Sequence, residues 1–565
     1  MKLTRQDYAF NEPKIAHIYP KALELDRVLI SLYVLLKHNG RRPVRKKGAK
    51  EVTLEAIVGD LLRFHTHALE GFAEHAELVS DWAYSDLVDV VNRGNPDKEK
   101  VAAPRPLHLN AYKLRNDKQV RTSDSGASEQ IYSMLTTVDE ELVGRLKRFL
   151  GQGMRAPTFD AYDETTPLDL DTLLVVRMVD NEDLKDSPNP NREFLEPPLC
   201  GGQARLLVDD LRRLMTYEAH VPRAVLIDYM RTLVGLHLGL YLLRLFHQLP
   251  GWVARRAAHP TCLECPVQPE SHAQPFHVCP YAAQNPQPDA AALPELLIDM
   301  GDDYDTHMAH LARENCAVHY AAITDYVHDV LAVNQLFRYA DSGRARAYYR
   351  SRGQAKPQSV VDVLSLLDEA DPSFGVYFSL LIDQLFEGES ESDETERPEV
   401  VAIRQMHTLT PFESFIELIA LERTKYYRSH LIKQLDSLFM KNADTGLMSQ
   451  GKSARHQRRW RMGSRLLETL VQLAVLEPAA NTPEGYRSRP ILIDTFVAWL
   501  RERYGFALAP AWPEATVQDL AAFNDNLRQL KARLRDIGFY VDLSDAYNAQ
   551  QIRPRYTIAT AETAQ

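Results

Sequence analysis

The sequence predicts a mainly α, multi-domain helical protein with a Cys-rich zinc-knot insertion and a winged-helix-like C-terminal domain. Three observations predict it: apolar residues recur at helical spacing through most of the chain, all five cysteines fall between Cys200 and Cys316, and three helical patterns followed by two strand patterns close the chain. With 565 residues, 45% hydrophobic and 25% charged, the composition is that of folded globular protein with room for roughly three or four cores. The 66 Lys plus Arg against 77 Asp plus Glu leave a net charge of -11, so any contact with nucleic acid must come from local basic patches.

Composition shifts divide the chain into 1–94 (helical), 95–198 (mixed, long loops), 199–343 (helical, with the insertion at 259–281), 344–386 (helical), 387–399 (acidic linker), 400–463 (long helix and basic loop) and 464–565 (winged-helix-like). The first helix is marked by Leu25, Val28, Leu29, Leu32, Leu35 and Leu36 and stops at Asn39-Gly40. A helical pair is expected from Thr53 to Asn92, then either a long surface excursion or a small strand pair around Leu107 to Leu114, one helix from Ser128 to Leu150 and a strand at Leu173 to Val179.

The most apolar segment, Val225 to Leu249, carries Asp228, Arg231, His237, Arg244 and His247, which lipid would not accommodate cheaply. It is expected to be a buried core helix, with no membrane contact. The opening Met-Lys-Leu-Thr-Arg-Gln-Asp-Tyr lacks the apolar stretch of a signal peptide, so a cytoplasmic location with reduced thiols is expected. Further on, Thr410-Pro411-Phe412-Glu413 combines a capping box with proline in the first turn and predicts a helix start.

The stretch His259-Pro-Thr-Cys262-Leu-Glu-Cys265-Pro, continued through His277 to Cys279, points to metal. A Cys-x-x-Cys turn brings two thiolates to one ion, and this Pro-rich loop offers few apolar residues with which cysteines could pack. Cys262, Cys265 and Cys279 are expected to hold a structural Zn2+, with Cys316 preferred as fourth ligand and His277 next; His259 and Cys200 remain open. An iron–sulfur cluster is the alternative, because five cysteines are present and four are needed.

Arg455, Arg458, Arg459, Trp460 and Arg461 form a basic run around an indole, a pattern suited to phosphates with a stacked base. Near the C-terminal end, patterns starting at Ser464, Ser488 and Thr516 read as three helices, with Gly538 to Ser544 and Gln551 to Thr557 as a ribbon. That is the order of a winged helix, and Arg528, Lys531, Arg533 and Arg535 put positive charge on its third helix, with Arg553 and Arg555 on the ribbon.

The closing Leu-Arg-Asp-Ile-Gly-Phe-Tyr-Val-Asp-Leu-Ser-Asp-Ala stretch, behind a helical body with a cysteine insertion, resembles uncharacterised proteins encoded in bacterial anti-phage defence islands. The resemblance implies a component working with motor, methylase or nuclease partners and transfers no catalytic residue. The expected function is a non-enzymatic DNA-binding or adaptor subunit, with DNA or other nucleic acid and other proteins of the same operon as partners. Two alternatives stand beside it: a metal-dependent nuclease or hydrolase using Asp299, Asp302, Asp303, Glu314 and nearby histidines, and a helical scaffold that binds only proteins.

Overall fold

Three long helices form the middle of the molecule. The computed structural model describes residues 1–44, 53–63, 71–95, 98–114, 124–163, 165–180, 187–188, 195–257, 295–368, 371–387, 397–440, 445–451, 457–480, 482, 485–508, 515–540 and 551–558. Helix makes up 61% of the structure, which makes the fold mainly α as expected.

The N-terminal third contains α1 (Leu25–Lys37), α2 (Leu54–Arg63), α3 (Ala76–Trp82), α4 (Ala127–Val138), α5 (Glu140–Leu150) and α6 (Leu170–Asp180). α1 ends where Asn39 and Gly40 adopt φ of 51° and 82°, left-handed geometry that glycine tolerates best. The single helix expected over Ser128–Leu150 is two: Asp139 leaves helical geometry, and its carboxylate accepts from the Glu141 and Leu142 amides at 2.9 and 3.1 Å, capping α5. The strand expected at Leu173–Val179 is helical, because its apolar residues pack inward from α6. Extended chain lies elsewhere, in β2 (Val88–Val91) paired antiparallel with β3 (Lys100–Pro104), while a 3-10 turn occupies Leu109–Lys113. A short pair joins β1 (Pro43–Val44) to β4 (Ser187–Pro188).

α7 (Gly201–Met215) leads into α8 (Arg223–Arg255), whose most apolar window is 89% buried. Apolar around most of its circumference, α8 is enclosed along that window. It packs on α7, on α9 (His307–Ala340) and on α14 (Pro411–Phe439). Two small residues permit that closeness: a Cβ at Gly239 would lie 2.1 Å from the Phe439 ring, and one at Gly235 would lie 2.4 Å from Thr445 Oγ1. Between α9 and α14 come α10 (Gly343–Ser351), α11 (Val360–Leu364), α12 (Pro372–Phe386) and α13 (Pro398–Gln405). α14 starts at the anticipated Thr410–Glu413 capping box. The acidic run 388–396 lies outside the described residues.

The rest of the chain is β6 (Met448–Ser449), β7 (Arg459–Trp460), α15 (Ser464–Ala474), β8 (Leu476–Pro478), β9 (Tyr486–Ser488), β10 (Ile491–Leu492), α16 (Ile493–Tyr504), β11 (Phe506–Ala507), α17 (Val517–Asp536) and β12 (Gln551–Ile552). The three expected helices are present, and Thr516 with Asp519 closes a capping box at the start of α17. A β8–β9 hairpin separates the first two helices, β12 pairs with β10, and Tyr540 bridges Ile552. β11 pairs in parallel with β5 (Leu296–Leu297), the strand that follows the cysteine insertion. One contiguous buried cluster runs from Ile15 to Ile558 and crosses the positions at which composition suggested boundaries.

Candidate functional site at the Asp299–Arg459 junction

The segment after the insertion is stitched between two distant pieces of chain. Leu296 N donates to Gly505 O at 2.9 Å, Ile298 N to Ala507 O at 2.8 Å, and Asp299 N to Trp460 O at 3.1 Å. This turns residues 299–303 toward the side chain of Arg459, which is fully buried. Its Nη1 donates to Asp299 Oδ2 and to the Asp303 carbonyl, both at 2.5 Å, and its Nη2 to the Gly301 and Asp302 carbonyls at 3.2 and 3.1 Å. The guanidinium also lies 3.9 Å from the centre of the Tyr304 ring. Burial pushes the Asp299 carboxyl up and the Arg459 guanidinium down, each opposed by the other's charge. The carbonyl acceptors add the hydrogen bonding that a buried ion pair needs.

Neighbouring groups extend the clamp. Arg461 pairs with Asp302 and donates through Nε to Gly301 O at 3.1 Å. From α17, Arg533 donates to Met300 O at 2.6 Å and to Asp302 at 3.2 Å, while Asn526 receives Met300 N at 2.7 Å and donates to Ile298 O at 2.8 Å. Asp303 Oδ1 accepts from the Asp305 amide at 2.9 Å. His307 meets Asp519 of α17 at 2.6 Å, and His310 pairs with Glu314 at 3.2 Å. The acids proposed for a nuclease site are therefore divided among arginine, histidine and main-chain partners. Among the described residues, no group of three or more His, Cys, Asp or Glu is arranged to hold a metal ion.

Of the expected zinc ligands, Cys262, Cys265, Cys279 and His277 lie outside the described residues. Cys316 sits on α9 in the core, 1% exposed, and burial pushes its thiol up. One turn further along, His319 Nδ1 lies 3.2 Å from His247 Nε2 of α8. Burial lowers these imidazoles to about 3 and about 4.

The basic run around Trp460 divides in the structure. Arg455 is outside the described residues. Arg458 makes a two-pronged pair with Asp436 of α14, at 2.8 and 2.6 Å. The expectation that Trp460 stacks on a base is corrected: its indole is fully buried among His319, Tyr320 and Phe439. Arg459 and Arg461 likewise turn to residues 299–303. Nothing local in the run signals this, because the acids that receive the arginines lie about 160 positions earlier.

The C-terminal candidates remain nearer the surface. Arg528, Lys531 and Arg535 recur at spacings of three and four on α17; Arg528 pairs with Asp525 at 2.6 Å in an exposed contact, and Arg535 lies 5.8 Å from the Tyr540 ring. Arg553 is exposed, and Arg555 pairs with Glu468 and donates to Ile537 O at 2.8 Å.

A second polar cluster escaped the sequence reading. Asp210, on α7, is fully buried and receives Tyr504 OH at 2.7 Å, His237 Nε2 at 2.9 Å and Arg503 Nε at 2.9 Å. Asp209 takes Arg503 Nη2 at 2.5 Å and Arg213 Nε at 2.9 Å. Burial opposes ionisation of both acids, and the arginines more than offset it, so both carboxyls sit below their usual range. Two adjacent acids on an otherwise apolar helix face were the available signal. The cluster fastens α16 to α7 and α8.

Together these features define a large, mainly helical protein in which buried arginine–carboxylate contacts join distant parts of the chain. The chain belongs to the family described as methylation-associated defense system protein MAD7, which it matches over residues 5–556. It is thereby a component of an anti-phage defence system, as the resemblance in its closing stretch implied. No curated protein and no solved structure matches it.

Proposed function

We propose that this protein is a non-enzymatic adaptor subunit of its defence system, contacting DNA or another nucleic acid and docking other proteins of the same operon. The observation that carries the non-enzymatic reading is the Asp299–Arg459 contact with its surroundings. Acids that a metal-dependent nuclease would direct at magnesium are acceptors for Arg459, Arg461 and Arg533 instead. Nucleic-acid contact is supported by the line of Arg528, Lys531 and Arg535 on α17, with Arg553 and Arg555 nearby, in the role a winged helix gives its third helix and ribbon. The cysteine insertion joins α8 to β5, and Cys262, Cys265 and Cys279, completed by Cys316 or His277, are the proposed ligands of one structural zinc.

The test is a gel shift on the full-length protein, beside incubation with plasmid and magnesium or manganese. Replacing Arg528, Lys531 and Arg535 by Ala weakens binding and flattens its salt dependence, the plasmid stays intact, and elemental analysis finds zinc. Plasmid cleavage that disappears on Asp302→Asn would replace the adaptor with a hydrolase. Protein without zinc or iron would remove the metal assignment.

A further inference from the structure

α14 has an outward face that neither the junction nor α17 uses. Its inward side is fixed: Tyr427 OH donates to Tyr8 O at 2.6 Å, and Gln434 Nε2 donates to Tyr19 O at 2.7 Å. The outward side exposes Lys425, Arg428 and Lys433, with Tyr426 52% exposed and its ring centre 4.2 Å from that of His430. Lys425, Arg428 and Lys433 form no ion pair among the described residues. Acids along the same helix are already engaged: Glu417 lies 3.4 Å from His328, Glu422 pairs with Arg397, and Asp436 holds Arg458. In a chain of net charge -11, this leaves a local stripe of uncompensated positive charge. From Lys425 to Lys433 the helix rises about 12 Å, the reach of several phosphates at the ~3.4 Å spacing of one duplex strand.

We infer that this face of α14 is a docking surface for single-stranded nucleic acid, in which the three cations follow the phosphates and Tyr426 stacks on a base. A single strand is favoured over a duplex because its bases offer their faces to an exposed ring. The inference rests on the nucleic-acid contact proposed above but assigns it to different residues.

The test is fluorescence anisotropy of a labelled oligothymidylate with the full-length protein across a salt series. The variants are K425E/R428E/K433E, Y426A and R528E/K531E/R535E, each checked by thermal melting. The α14 charge reversal weakens binding by about tenfold or more at low salt and reduces the salt slope by about 2, as loss of three phosphate contacts requires. Y426A weakens binding and leaves the slope unchanged. Loss of binding in the α14 reversal with the α17 reversal unaffected supports the inference and removes α17 from the proposed contact. Full-strength binding by the α14 reversal overturns the inference, whether or not the α17 reversal binds; loss in the α17 reversal leaves the proposed function standing. Absence of binding by the unsubstituted protein overturns both. Poly-glutamate binding that needs the three cations, with Y426A neutral toward both probes, assigns the face to an acidic protein and overturns the inference.

Discussion

Asp299 and Arg459, 160 positions apart in sequence, meet at 2.5 Å in the interior. Through this contact the strand that follows the cysteine insertion is held against the strand that precedes α15. Neighbouring bonds from Arg533 and Asn526 bring α17 to the same loop. The junction thus ties the C-terminal third to the long central helices.

The Gly239–Phe439 approach sets the spacing of α8 and α14. Gly239→Ala places a methyl group where the Phe439 ring lies 2.1 Å away. The expected cost is about 1–3 kcal/mol, typical of overpacking. Phe439→Leu in the same chain recovers part of it, and denaturant midpoints of the single and double variants check this.

Buried histidines make stability fall with acid. Burial holds His108 and His319 at about 3 and His247 at about 4. The unfolded chain takes up these protons near pH 6.5 and the folded chain does not, so their contribution is complete above about pH 6.5 and is lost as pH falls toward 4. Melting temperature measured from pH 7.5 to pH 4.5 (about the useful range) should hold down to about pH 6.5 and fall below it. His319→Gln should flatten the curve, and a slope identical to that of the unsubstituted protein would count against neutral burial.

The capping box at α14 gives a smaller, local prediction. Thr410 Oγ1 accepts from Glu413 N at 3.2 Å, and the Glu413 carboxylate accepts from Thr410 N at 2.8 Å. Thr410→Ala should cost about 1 kcal/mol, read as a melting shift with unchanged helical circular dichroism.

What could be read from sequence was local. The end of α1 at Asn39-Gly40, the start of α14 at Thr410 and the burial of α8 each depend on neighbours in the chain, and each is where periodicity and capping chemistry put it. Misreadings arose where distant partners decide. Leu173 to Val179 has the short apolar run of a strand, yet tertiary packing makes it a helix. Trp460 among arginines has the composition of a nucleic-acid contact, yet Asp299 and Asp302 draw those arginines inward and the ring follows. The Asp210–Arg503 cluster was hidden for the same reason, being assembled from α7, α8 and α16.

A double-mutant cycle on Asp299→Asn and Arg459→Met, read by denaturant unfolding, tests the junction most directly. Each single substitution should cost about 3–5 kcal/mol, because it leaves its buried partner uncompensated, and the double variant should cost less than the sum by about 1 kcal/mol or more. Hydrogen exchange at Leu296 and Ile298 should accelerate in both single variants, since those amides lie in and beside the strand the clamp holds and bond to Gly505 and Ala507. Additive costs, or single variants that lose less than about 1 kcal/mol with exchange unchanged, would contradict the junction's role in joining the two parts of the chain.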